Sequence, residues 1–139
     1  MSAELRHQVQ ELLHTYCDAV VHADEARWAS TWAVNAFWSL PGGRDVQGRD
    51  AIVELWRTSM AKYRLTIQTT LSGTVRLGDN DFTATGRWYI QESAWKVDGE
   101  PTVLHGYYDD EYLRTESGWK FARRTLTLLH RGAPDLRGS

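Results

Sequence analysis

The hydrophobic period of the chain changes once, near residue 64, and this change limits the folds that the sequence can adopt. Before it, apolar side chains recur at helical spacing, whereas after it Leu65, Ile67, Val75 and Leu77 stand between polar residues. A period of 3.6 residues predicts amphipathic helices, and a period of two predicts strands with one apolar face. Helices followed by strands in one chain indicate an α+β domain.

Three helices are predicted ahead of this change. The first covers residues 3–22, because its apolar side chains fall within about 100° of arc on a helical projection. Asp24 is a candidate N-cap for a short second helix that places Trp32 one turn after another tryptophan. The third helix covers residues 51–63, and Asp50 is its candidate N-cap.

The remainder of the chain predicts a sheet. The apolar run at 36–40 ends at Pro-Gly-Gly, which is typical of a strand entering a turn, so one or two short strands are expected between residues 36 and 47. Four long strands are predicted over residues 65–77, 82–97, 102–115 and 119–130. We therefore expect a strongly curved, mostly antiparallel sheet wrapped as a cone around the three helices, a cystatin-like α+β barrel.

Domain organisation and location follow from composition. The 139 residues are 42% hydrophobic and 24% charged, which is ordinary for one globular domain; we place that domain at 1–130 and a flexible tail at 131–139. Cys17 is the single cysteine, so no intramolecular disulfide can form. The net charge of -2 gives no support for binding to nucleic acid or to an anionic membrane. Without a leader-like segment or a long apolar run, a cytoplasmic location is expected.

Several kinds of chemistry lack their motifs in this sequence. There is no glycine-rich phosphate loop, no HExxH pair and no GxSxG string, so we assign neither a metal nor a cofactor. What remains is a dispersed acid–base set of Tyr16, Asp24 and His105. These groups could converge on one cavity, where desolvation would move a carboxyl or imidazole pKa toward the working pH.

The order of elements and six local strings carry a family resemblance. The strings are YCDAVVHAD at 16–24, WASTW at 28–32, AFWS at 36–39, GRDAI at 48–52, GYYDDEY at 106–112 and GWKF at 118–121. Over residues 5–130 the chain resembles the nuclear transport factor 2-like superfamily, in particular its SnoaL-like polyketide cyclase and scytalone dehydratase-like branch. The resemblance implies a cone-shaped domain with a central cavity, in proteins that commonly form oligomers.

The resemblance also implies roles for single residues. In catalytic relatives a tyrosine on the first helix, an aspartate after it and a strand histidine cooperate, and Tyr16 and Asp24 match the first two. Trp38 matches a pocket aromatic. At the expected place of the histidine this chain has Gln68, or Thr69 one register over, and a glutamine cannot act as a general base. Alternation puts Gln68 on a polar strand face that would meet water, whereas the resemblance puts it in the cavity.

Other residues are candidates for the remaining roles. His105 is the candidate substitute base or acid, and Tyr16 and Gln68 would bind a substrate oxygen. A pocket wall is expected from aromatic side chains that are otherwise ordinary core residues: Trp38, Trp56, Trp88 and Tyr108.

These observations predict a cofactor-independent acid–base enzyme of the dehydratase, isomerase or cyclase type that acts on a small apolar or aromatic cyclic ligand. One alternative is a non-catalytic binding or assembly module of the same fold. Another is an epoxide hydrolase with an Asp-Arg-Asp arrangement, for which Arg87 with Asp109 or Asp110 would be needed. An apolar outer sheet face predicts a homodimer or homotrimer.

Overall fold

The computed structural model describes residues 2–134 and contains the three expected helices, α1 (Ser2–His22), α2 (Glu25–Ala29) and α3 (Arg49–Met60). Asp24 caps α2 as predicted, because its side chain accepts a hydrogen bond from the backbone N–H of Arg27 at 3.2 Å. Two details differ from the prediction.

The second helix is shorter than its tryptophan spacing indicates, since Trp32 already begins the first strand. The N-cap of α3 is Gly48 rather than Asp50, which lies inside the first turn of the helix. Gly48 adopts a φ of 94°, a backbone conformation that favours glycine, and the chain enters the helix through this turn without a side-chain cap.

Six strands form one sheet. Their bounds are β1 (Trp32–Leu40), β2 (Arg44–Gln47), β3 (Tyr63–Leu77), β4 (Thr83–Lys96), β5 (Thr102–Thr115) and β6 (Gly118–Gly132). The strand order is β2-β1-β6-β5-β4-β3, and every neighbouring pair is antiparallel except the parallel pair β1 and β6. The curved, mostly antiparallel sheet with N-terminal helices confirms the predicted α+β fold.

The core lies between the helices and the concave face of the sheet. Along β4 and β5 the even-numbered side chains point inward and are the more buried ones, as the alternation of a strand requires. Aromatic rings fill much of this space; Trp28 of α2 stacks on Trp56 of α3 with centroids 4.5 Å apart. Stacking of this kind adds to the stabilisation that burial of the rings already gives.

Strand β3 contains an irregularity between Thr70 and Gly73 that reverses which of its residues face inward. Before it Thr66 and Gln68 are buried on the concave face, and after it Val75 is the residue packed against the core. A Cβ atom at Gly73 would lie 2.3 Å from the carbonyl oxygen of Arg87, so the close approach of β3 to β4 requires glycine there.

The C-terminal end of the domain lies slightly beyond the predicted boundary, because β6 continues to Gly132. Of the expected tail at 131–139, residues 135–139 lie outside the described residues. Within the described part of the chain, no helix has the length and apolar character needed to cross a membrane.

Candidate functional site

A cavity of about 600 Å³ lies between the concave sheet face and helices α1 and α3. Its walls combine apolar and aromatic side chains with polar ones, and every long strand contributes to them. The principal wall residues are Tyr16, Val20, Trp38, Leu40, Trp56, Met60, Ile90, Leu104, Tyr108, Leu126 and Leu128. This volume falls within the range of small-molecule sites.

A polar pair lies in this cavity where β3 and β4 meet. Gln68 and Glu92 are directly opposite in the strand register, and the Gln68 Nε2 group donates a hydrogen bond to Glu92 Oε1 at 3.0 Å. Burial raises the pKa of the Glu92 carboxyl, while the bond from Gln68 and the positive charge of Arg131 oppose that increase. The cavity therefore contains a carboxyl group whose pKa is raised by burial and whose position is fixed by a neighbour.

Two buried polar atoms beside this carboxyl lack a partner among the described residues. They are the Oε1 atom of Gln68 and the hydroxyl of Thr66, and both residues line the cavity. Buried polar groups in native proteins nearly always form hydrogen bonds, so each unpaired one calls for an explanation. A ligand with polar groups would supply the missing partners.

Two tyrosines face the same cavity. Trp38 Nε1 donates a hydrogen bond to the hydroxyl oxygen of Tyr108 at 3.2 Å, which leaves the phenolic hydrogen of Tyr108 available to another acceptor. Burial raises the pKa of both Tyr16 and Tyr108, so each phenol stays protonated at physiological pH and can act as a hydrogen-bond donor.

A buried ion pair between Arg124 and Asp110 packs against the rings of both tyrosines. The Arg124 guanidinium lies 3.8 Å from the ring centre of Tyr108 and 4.7 Å from that of Tyr16. It donates to both carboxylate oxygens of Asp110, at 2.7 Å and 3.2 Å, and the Tyr112 hydroxyl donates to the same carboxylate at 2.8 Å. None of these charged atoms lines the cavity, so the ion pair contacts the cavity only through the tyrosine rings.

Most of the predicted pocket residues are brought together. Tyr16, Gln68, Trp38, Trp56 and Tyr108 all line the cavity, and Gln68 takes the inward position that the family resemblance implied. Trp88 is an exception. It is buried beneath α1, where the Arg6 guanidinium lies 5.1 Å from its ring centre, and it is absent from the cavity wall.

The structure does not bring Asp24 or His105 to the cavity, where both catalytic hypotheses place them. Asp24 is exposed, and its carboxylate is used at the N-terminus of α2. His105 follows the inward-facing Leu104 and precedes the inward-facing Gly106, so strand alternation puts it on the outer face beside His130, with ring centres 6.1 Å apart.

The arrangement needed for the epoxide hydrolase alternative is also absent from the cavity wall within residues 2–134. Arg87 and Asp109 form an exposed ion pair on the outer face, as expected for a cross-strand pair, and Asp110 is committed to Arg124. No Asp-Arg-Asp set therefore meets the cavity.

Glu92 is a cavity residue that the sequence patterns did not single out. It lies in the row Trp88, Ile90, Glu92 and Ala94, which alternates through β4 and is otherwise apolar. A carboxylate in the inward-facing row of a strand is unusual, since an unpaired charge is expensive to bury. That interruption of the apolar row is the pattern that could have identified it.

A curved sheet closed by N-terminal helices over a cavity of ligand size defines the nuclear transport factor 2-like class of α+β proteins. Within that class, the chain belongs to the SnoaL-like domain family, whose model matches residues 1–125. No curated protein matches the chain by sequence.

Solved structures share the fold over nearly the whole chain. A candidate scytalone dehydratase from Novosphingobium aromaticivorans has a TM-score of 0.87 at 18% identity, covering 97% of this chain and 90% of that one. A candidate aromatic ring hydroxylase from the same species has a TM-score of 0.87 at 26% identity, with 94% and 92% covered. A hexachlorocyclohexane dehydrochlorinase from Novosphingobium barchaimii has a TM-score of 0.83 at 19% identity, with 99% and 93% covered.

Proposed function

We propose that this protein is a cofactor-independent acid–base enzyme of the dehydratase, isomerase or cyclase type, acting on a small apolar cyclic molecule. The observation that carries the proposal is the position of Glu92. Among the described residues it is the one carboxylate in the cavity wall, and Gln68 fixes its position there with a hydrogen bond. Membership of the SnoaL-like family, with dehydratase and dehydrochlorinase structures among the neighbours, supports the same class of reaction.

In this mechanism Glu92 is the general base. Its carboxylate removes a proton from a carbon next to a substrate carbonyl: the C–H bond breaks, an O–H bond forms on Glu92, and the electron pair moves to the carbonyl oxygen as an enolate. The Tyr108 phenol, held by Trp38, donates a hydrogen bond to that developing charge. If the proton returns from Glu92 to a different carbon, the product is an isomer. If the enolate instead expels a β-hydroxyl group, that group takes up the proton from Glu92 and leaves as water, which is dehydration.

Gln68 has a positioning role in this scheme. Its Nε2 donor fixes one carboxylate oxygen and favours the ionised form of Glu92. The other Glu92 oxygen stays available for the substrate proton, and the unpaired Gln68 Oε1 atom can accept a hydrogen bond from a substrate hydroxyl. The carboxylate on β4 thus takes over the proton transfer that the family resemblance assigns to a histidine at the place of Gln68 or, one register over, Thr69.

The pH dependence of proton exchange tests this proposal. We expect the protein to accelerate deuterium incorporation into 2-tetralone, a neutral bicyclic ketone, above the buffer rate. The protein-dependent rate should rise with pH and level off, because only the ionised carboxyl is a base, and the midpoint should lie above the ordinary pKa of a glutamic acid. Nuclear magnetic resonance in D₂O gives the rate.

The variant Gln68→Leu sharpens this test. Loss of the hydrogen bond that lowers the Glu92 pKa should move the midpoint to higher pH. Gln91→Leu, one residue from Glu92 but on the outer face of β4, is the matched control and should leave the midpoint unchanged. A rate without a midpoint, or the same midpoint in all three proteins, would count against Glu92 as the base.

We also propose that the outer sheet face is buried in a homodimer or homotrimer. Ile67 on β3 and Tyr89 on β4 are 39% and 38% exposed there, and exposed large apolar side chains on neighbouring strands favour burial against another chain. Light scattering at micromolar concentration should give the mass of two or three chains, and Ile67→Lys with Tyr89→Lys should shift it toward one chain. A monomer mass for the unaltered protein would refute this proposal.

A further inference from the structure

The charges at the mouth of the cavity form a pattern of which the proposed chemistry uses only one part, the effect of Arg131 on the Glu92 carboxyl. Three cationic side chains line the cavity and are exposed to solvent: Arg44 on β2, Lys62 between α3 and β3, and Arg131 near the end of β6. They come from three separate parts of the sequence, and the fold gathers them at one opening. The acid in the same lining is Glu92, which is shielded deeper among the strands.

This local excess of positive charge contrasts with the chain as a whole, whose net charge is -2. Within residues 2–134, none of the three cations has a carboxylate within the 4.0 Å that defines an ion pair. Single exposed lysines and arginines are ordinary surface residues. Three that share one opening create a positive potential there, and the low-dielectric walls of a cleft concentrate it.

We propose that the ligand of this cavity carries an anionic substituent, a carboxylate or a phosphate, that stays at the mouth against Arg44, Lys62 and Arg131. The inference rests on the proposed function, because it names the substrate class of the same cavity. The rings of such a ligand would fill the apolar part lined by Trp38, Trp56 and the leucines of β6. The substrate is therefore an amphipathic cyclic acid, and a neutral ketone such as 2-tetralone reproduces its apolar ring part but not its charge.

This arrangement also orients the ligand. An anion held at the mouth leaves the opposite end of the molecule near the polar atoms of Gln68, Thr66 and Tyr108, which lie further in. A carbonyl or hydroxyl group at that end would meet the unpaired Gln68 Oε1 and the free phenolic hydrogen of Tyr108. Binding energy from the charged end would then position the reacting carbon beside Glu92.

Calorimetric titration with three naphthalene derivatives tests the proposal. 2-Naphthoate and 2-naphthyl phosphate are anions, whereas 2-naphthamide has nearly the shape of the naphthoate and no charge. We expect at least one anion to bind about 10-fold more tightly than the amide at low ionic strength, since each favourable charge contact of this kind is worth roughly a factor of ten or less in water. Added salt should reduce the difference.

Variants at the mouth of the cavity show which cationic side chains account for the preference for anions. Lys62→Gln and Arg131→Gln should each weaken anion binding several-fold and leave naphthamide binding unchanged. Arg64→Gln is the matched control, because Arg64 is exposed on β3 two residues from Lys62 and is absent from the cavity wall. The relative affinities of naphthoate and naphthyl phosphate distinguish the two kinds of anion.

Equal affinity for the anions and the amide would overturn the proposal, as would equal losses in Arg64→Gln and the two mouth variants. Failure of all three probes to bind would overturn it as well. The exchange assay with neutral 2-tetralone is independent of these outcomes. If Glu92-dependent exchange is observed without a preference for anions, the proposed function stands and the anionic substituent is wrong.

Discussion

Replacing Glu92 with glutamine is expected to lower the protein-dependent exchange rate of 2-tetralone by about 10²-fold or more, the usual scale for loss of a general base. Glutamine has nearly the same size and can still accept a hydrogen bond from Gln68, but it cannot take up a proton at neutral pH. The loss should therefore appear in the rate of exchange and leave the affinity for 2-tetralone nearly unchanged.

The stability of the Glu92→Gln variant provides a check that the fold is retained. Burial raises the pKa of Glu92 in the folded state, so the ionised carboxyl destabilises the fold at pH values above that raised pKa. The variant should therefore be at least as stable as the parent at neutral pH, and the difference should shrink as the pH falls toward the ordinary pKa of glutamic acid.

Glu111→Gln is the matched control for this variant. Glu111 is exposed on the outer face of β5, so its replacement should preserve the exchange rate. If Glu92→Gln keeps the parent rate, Glu92 is not the base. If 2-tetralone binds to the parent and to Glu92→Gln but neither protein accelerates its exchange, the non-catalytic binding module is the better description.

The second large effect is expected at the buried ion pair. Asp110→Ala should lower the free energy of unfolding by about 3–5 kcal/mol, because it leaves the Arg124 guanidinium buried without a counter-charge. It also removes the acceptor of the Tyr112 hydroxyl. Equilibrium unfolding in urea measures the change.

The neighbouring residue provides an unusually close control. Asp109 binds Arg87 with the same two distances, 2.7 Å and 3.2 Å, that join Asp110 to Arg124. The side chains of Arg87 and Asp109 are 48% and 46% exposed, whereas those of Arg124 and Asp110 are 1% and 0% exposed. Asp109→Ala should change stability little, because solvent screens an exposed pair. Similar losses in both variants would contradict the assignment of the effect to burial.

Removing both buried charges provides a further test. The double variant Asp110→Leu with Arg124→Leu should recover much of the stability lost in Asp110→Ala, since an apolar pair carries no desolvation penalty. It should still impair exchange of 2-tetralone, because the Tyr108 ring loses the guanidinium that lies 3.8 Å from its centre. Full activity in the double variant would show that the ion pair has no role in positioning Tyr108.

The fold was largely predictable because periodicity reports directly on it. The change of period near residue 64 and the glycine-containing turns gave the α+β class and the four long strands. The errors lie where local patterns compete. Trp32 continues the helical spacing of its neighbours but begins β1, and Asp50 has a cap-forming side chain but follows the actual cap.

The site was less predictable because it depends on which face of a strand each residue occupies. Tyr16 and Gln68 followed from the family resemblance, whereas His105 was selected by residue type and lies on the outer face. The alternation of β3 did not settle the direction of Gln68, since in this fold the concave face of that strand segment is the polar one. Glu92 went unnoticed because no motif marks a carboxylate that only the strand register brings beside Gln68.

The irregularity in β3 between Thr70 and Gly73 gives this strand two separate tasks. Ahead of it, the inward side chains line the cavity, and past it, they meet the packed interior. Substitutions at Thr66 or Gln68 can therefore alter what the cavity accepts without disturbing the contacts of Val75. One extra residue in a strand thus lets selection change the chemistry of a small domain while its scaffold stays as it is.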